Sequence, residues 1–127
     1  PDPESIPMSE LSFLIINRRA PYANNQAREG LDAALTAAIF EQDVSMLFLS
    51  DAVYQLLKAQ QPDAIGQKNL SANLQVLPMY DIDKLYVCAE ALATRGLSVG
   101  QLVVPVEVLD KAQINALIKQ QDRVLTF

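Results

Sequence analysis

The chain has no histidine, no tryptophan and a single cysteine among its 127 residues, with four glycines and 6% aromatics. The missing imidazole excludes Ser-His-Asp and Cys-His nucleophile pairs, which need it as base. One cysteine cannot form an internal disulfide, and a Cys/His zinc site lacks its ligands. No apolar run approaches the ~20 residues of a membrane span, so no membrane association is expected. Ten Lys+Arg stand against fifteen Asp+Glu, a net charge of −5. Gripping bulk nucleic acid directly requires the opposite balance. No signal-like start is visible, which makes the expected address cytoplasmic. No glycine lies between Asn17 and Glu29, so the first loop lacks the close-approach glycines of a dinucleotide or P-loop site. It also lacks the Ser/Thr run that holds a flavin phosphate. No cofactor is expected.

What is present suits one ordinary globular domain. Half of the residues are apolar, and a chain of this length can bury a core without a metal or a bridge. Residues 1–7 hold three of the seven prolines and no pattern that buries a face. They read as a tag or disordered leader, which leaves residues 8–127 as a single domain. The apolar run Leu11–Ile16 predicts a first strand, followed by a polar loop. A helix is expected from Asn25 to Glu41, capped by Asn24 or Asn25, with Leu31, Ala34, Leu35, Ala38 and Ile39 on one stripe. Val44–Leu49 reads as a second strand. Ser50-Asp51 then caps a short helix through Leu57 that turns Val53, Leu56 and Leu57 inward.

Leu70–Leu77 reads as a helix closed by Pro78, and Lys84–Val87 as a third strand. Ala89–Thr94 forms a helix ending at Gly96. Val103–Val108 is extended but carries Pro105, which suits an edge or a strand end. Asp110 caps a helix over Lys111–Gln120, and Arg123–Phe127 is a last strand. Apolar strands alternating with helices predict an α/β three-layer sandwich with a mainly parallel sheet of about five strands.

Sites in such sheets gather beyond the carboxyl ends of the strands. Cys88 falls there, where the third strand hands over to a helix whose first N–H groups favour an anion. It is the candidate persulfide carrier, set against the alternative of a cysteine packed between Val87 and Ala89. Glu90 is expected to point to solvent at the helix start. Arg18, Arg19 and Arg28 surround the first loop and are candidates for anion or partner contact; a solvated charged face is the plainer alternative. Tyr54, Met79 and Tyr80 are candidate interface residues, because aromatics and Met are enriched in interface cores. Met46, inside the second strand, reads as core.

Several strings carry a resemblance. Arg28-Glu29-Gly30-Leu31-Asp32-Ala33, Ser50-Asp51-Ala52-Val53-Tyr54-Gln55-Leu56-Leu57 with Gln61-Pro62-Asp63, Met79-Tyr80-Asp81-Ile82, and Val87-Cys88-Ala89 with Arg95-Gly96-Leu97 together resemble the TusC/DsrF branch of the DsrE/DsrF/DsrH-like sulfur-relay family. The likeness spans about Leu11 to Phe127. It implies a DsrE-like fold and an accessory subunit of a heterohexamer, with sister subunits of the TusB/DsrH and TusD/DsrE kinds, that passes persulfide sulfur. In the tRNA branch, sulfur arrives through a TusA-like carrier and leaves through a TusE-like one toward 2-thiouridine at the wobble position. The DsrEFH branch serves sulfur oxidation. The family's carrier cysteine belongs to the TusD/DsrE subunit, in a strand-to-helix setting followed by an Arg-Gly pair; Cys88 with Arg95 and Gly96 matches that layout.

Three readings follow: an accessory subunit without catalysis of its own, a sulfurtransferase that loads Cys88 itself, and a small anion- or ligand-binding domain using the arginines. Thiolate attack on a persulfide requires no histidine. The isolated chain is expected to form homo-oligomers.

Overall fold

A computed structural model describes residues 10–20, 26–57 and 73–127. The leader 1–7, the Asn24/Asn25 cap and the start of the helix expected at Leu70 lie outside the described residues. Strand β1 (Ser12–Asn17) leads to helix α1 (Gln26–Ile39) and strand β2 (Asp43–Phe48). A 3-10 helix follows at Ser50–Leu56, and a 3-10 turn at Leu77–Tyr80 precedes β3 (Lys84–Cys88). The chain continues through α2 (Ala89–Thr94), a 3-10 turn at Val99–Gln101, β4 (Glu107–Leu109), α3 (Lys111–Lys119) and β5 (Arg123–Thr126).

The five strands form one sheet in the order β4-β3-β2-β1-β5, and every pairing is parallel. The expected five-stranded parallel α/β fold is therefore what forms. The chain steps outward from β1 to β4, then crosses back to lay β5 on the far side of β1. Right-handed crossovers in opposite directions put their helices on opposite faces. Alternation along β1 reports the same division: Ile15 packs with α1 residues Leu31 and Ala34, while Leu14 and Ile16 pack with Ile114 of α3. β1 is buried on both faces, which is why it reads as a continuous apolar run.

Several local expectations are corrected. Ser50-Asp51 does not cap a helix: no side chain caps the Ser50–Leu56 segment, because the Asp51 carboxylate pairs with Arg95 instead. Val53 and Leu56 are buried as expected. Pro78 sits in the first turn of the Leu77–Tyr80 segment rather than closing a helix. Proline is tolerated there, since its missing N–H has no helical partner to lose. The extended run expected at Val103–Val108 narrows to β4, after Pro105, and lies at a sheet edge. Asp110 does cap α3, accepting from Gln113 N at 2.8 Å while the Gln113 side chain accepts from Asp110 N. Gly96, at φ 65°, ends α2 in the left-handed conformation that glycine adopts at least cost.

A steric fit at one end of β1 and a set of hydrogen bonds at the other position the strand. Asn17, 1% exposed, ends the strand. Its Oδ1 occupies the space that a Cβ on Gly30 would need, so α1 can lie this close to β1 only because residue 30 has no side chain. At the other end, Asp122 Oδ2 accepts from Ser12 N at 2.8 Å and Ser12 Oγ at 3.1 Å, tying β5 to β1. These bonds hold the Asp122 carboxyl below its usual value.

Gly30→Ala is expected to destabilise the protein. Overpacking costs about 1–3 kcal/mol and exceeds the gain of up to about 1 kcal/mol in helix propensity. Gly100→Ala, where a Cβ meets nothing within 4 Å, is expected to leave the thermal midpoint almost unchanged. A group whose folded pKa is lowered contributes stability above its unfolded value and loses it as the pH falls through the folded one. The stability gap between the native chain and Asp122→Asn is therefore expected to be full above about pH 4 and to close on further acidification, as read by denaturant titration across pH.

Candidate functional site at the carboxyl rim of the sheet

Parallel strands end together, so Asn17, Phe48, Cys88 and Leu109 deliver their following segments to one rim. Cys88 closes β3 and is the N-cap of α2, with extended backbone and no side-chain cap bond. Its side chain is half-buried and packs toward both layers of the core. It also lines a shallow concavity of about 250 Å³ with Ser50, Glu90, Thr94 and Arg95. The residue thus combines the two readings of the sequence, an apolar packing position that keeps one side open.

Arg95 was visible in the sequence only as half of an Arg-Gly pair, yet it organises this rim. Its Nη2 and Nε donate to Asp51 Oδ1 at 2.8 and 3.1 Å, and its Nη1 donates to the Ala91 carbonyl at 3.1 Å. The guanidinium also lies over the Tyr54 ring, 5.9 Å from its centroid. The arginine therefore ties α2 to the 3-10 helix that follows β2. Asp51 thus engages the cation that lines the same concavity as the thiol. Glu90 is exposed at the first turn of α2, as expected for an acidic residue there.

The remaining candidates separate. Arg18 and Arg19 are exposed just beyond β1, and Arg28 is exposed on the first turn of α1; residues 21–25 between them lie outside the described residues. The Arg19 carbonyl accepts from Gln55 Nε2 at 2.8 Å, which fixes the backbone here and leaves the guanidinium side chain to solvent. Tyr54 is half-buried beneath Arg95. Met79 and Tyr80 are 82% and 43% exposed on a turn that precedes β3, so they stand at the amino end of the sheet. Tyr54, which follows β2, stands at the carboxyl end. Met46 is core, at 1% exposure. Among the described residues, no group of three or more His, Cys, Asp or Glu side chains is placed to hold a metal ion, and no helix is long and apolar enough to cross a membrane.

Comparison with known proteins bears on this arrangement. The model of the DsrE/DsrF-like family matches residues 11–127. The chain belongs to the DsrE/DsrF-like family. A Pseudomonas aeruginosa protein named as a TusC homolog is 46% identical over 116 residues, covering 91% of this chain and 98% of that protein. The intracellular sulfur oxidation protein DsrF of Allochromatium vinosum is 38% identical, covering 94% of this chain and all of that protein. The crystal structure of the YchN protein from E. coli superposes with a TM-score of 0.77 at 24% identity over 92% of this chain and 99% of that one. It shares the fold. The resemblance read from the short strings is thus shown at the level of the family. In this DsrE/DsrF-like chain, Asp51 and Tyr54 from one string and Arg95 from another meet in a single cluster.

Asp51→Ala leaves Arg95 without its carboxylate beside the concavity that holds Cys88. The variant is expected to alkylate at Cys88 faster than the native chain, because Arg95, one wall of the concavity, loses both bonds that hold it to Asp51. Timed iodoacetamide labelling followed by mass spectrometry measures this, with Asp43→Ala as a distant control.

Proposed function

We propose that this chain is a TusC/DsrF-like accessory subunit of a cytoplasmic sulfur-relay complex, assembled with TusB/DsrH-like and TusD/DsrE-like sisters and serving 2-thiouridine formation in tRNA. The observation that carries this reading is full-length similarity to proteins named as TusC homologs and as DsrF. The rim supports the accessory role. Its only thiol is packed between core layers, and the adjacent arginine is engaged by Asp51. The exposed apolar residues Met79 and Tyr80 suit contact with other subunits.

A second reading is favoured by the opening of Cys88 to the concavity. In it the Cys88 thiolate attacks the outer sulfur of an incoming persulfide. The donor's S–S bond breaks, the donor leaves as a thiolate, and Cys88 keeps the transferred sulfur.

One experiment separates the readings. In cells lacking the native gene, the accessory role predicts loss of 2-thiouridine from tRNA, full restoration by the native chain, and equal restoration by Cys88→Ser. A Cys88→Ser chain that assembles with its sisters but restores nothing, together with one added sulfur atom on Cys88 after exposure to a persulfide donor, would instead establish the carrier. Unchanged 2-thiouridine in the absence of the gene would overturn the tRNA assignment in favour of sulfur oxidation.

A further inference from the structure

The two edges of the sheet are unlike. β4 is three residues long, follows Pro105 and carries Glu107, which are ordinary devices against pairing with another chain. β5, the other edge among the described residues, is one residue longer, has no proline and carries its single charge, Arg123, at its amino end. All four residues of Arg123–Thr126 are exposed, and Val124 and Leu125 are 39% and 40% exposed. Phe127 donates to the Ile16 carbonyl at 2.8 Å and accepts from Arg18 N at 3.1 Å. By alternation, residues 123, 125 and 127 bond inward to β1, so the N–H and C=O groups of Val124 and Thr126 face outward.

Beside this edge, between α1 and the sheet, runs an open groove of about 780 Å³. Phe13, Ala33, Ala37, Phe40, Leu125 and Phe127 line it, and Glu29 and Asp32 supply its charge. Both ionic residues of the groove are acidic. Arg123 pairs in register with Phe13 and so projects on the same face of the sheet.

We propose that β5 is a self-pairing edge at which a second copy of this chain adds its own β5 antiparallel, centred on Leu125, to continue the sheet. A two-fold axis normal to the sheet keeps each residue on its own face and allows only pairs whose numbers share parity. With Leu125 opposite Leu125 of the second copy, the outward groups of Val124 meet those of Thr126, and the reverse. Each such pair exchanges two hydrogen bonds, and the two leucines form the close non-hydrogen-bonded pair over the groove. Arg123 then stands opposite Phe127 of the second copy. That ring packs on Gly30, 3.4 Å from where its Cβ would be, next to Glu29 in sequence. The edge thus brings the cation of one copy to the acidic groove of the other, and symmetry does so twice. The inference rests on the edge alone and does not depend on the sulfur-relay reading.

The test uses the full chain with Cys88→Ser as background. Leu125→Cys places two thiols across the axis at a Cα separation of about 4.5 Å, within disulfide reach. Mild oxidation is expected to give a reducible dimer of twice 14.0 kDa, much faster than with Met79→Cys or Val124→Cys. By light scattering the background protein is expected to be a dimer and Val124→Pro a monomer with an unchanged circular dichroism spectrum, since that N–H faces outward. Arg123→Glu is expected to weaken the dimer about tenfold, and adding Glu29→Arg to restore it. A monomer at tens of micromolar, or a dimer that Leu125→Cys links no faster than Met79→Cys, would overturn the proposal, as would an edge that pairs only with a different chain.

Discussion

Parallel pairing of β1 with both of its neighbours is the constraint from which the remaining features follow. Six residues of β1 pair with β2 and four with β5, so one apolar strand carries a ladder on each side and a helical layer on each face. Neither face nor edge of Leu14 or Ile15 meets water, so both faces of the strand contribute to the hydrophobic stabilisation. Parallel pairing continues from β2 to β3, and this brings the ends of those two strands together around Cys88. Fold stability and site placement are consequences of one arrangement of hydrogen bonds.

The close approach of α1 depends on that strand as well. Asn17 is a buried polar side chain whose Oδ1 has no hydrogen-bond partner among the described residues, an arrangement that costs free energy. The space it needs is supplied by Gly30. A glycine in the middle of a helix is itself unfavourable. Two locally unfavourable choices are thus compatible only because they occupy the same point, where the helix crosses the end of the central strand.

At the carboxyl rim, charge placement separates packing from chemistry. Arg95 bridges two segments that lie more than forty residues apart in sequence, and its bond to Asp51 is partly exposed, with side chains 19% and 61% accessible. An ion pair of this exposure contributes modestly to stability. Its larger effect is positional: it holds a cation beside the only thiol while drawing that cation's charge toward a carboxylate.

The strand and helix order, the parallel α/β class and the two-faced burial of β1 were legible in the chain, because period-two and period-3.6 patterns depend only on near neighbours. The Asp110 cap and the Gly96 stop were legible for the same reason, each being complete within a few residues. The family strings were legible too, although not the way in which their members meet. What tertiary structure alone decided are the contacts between distant segments: Asp51 on Arg95 rather than on its own helix, Asn17 against Gly30, and the separation of Tyr54 from Met79 and Tyr80 to opposite ends of the sheet. Sequence patterns carry the energetics of neighbours along the chain. The partner of a charge, or the strand left at an edge, is set by crossovers whose direction no local pattern encodes.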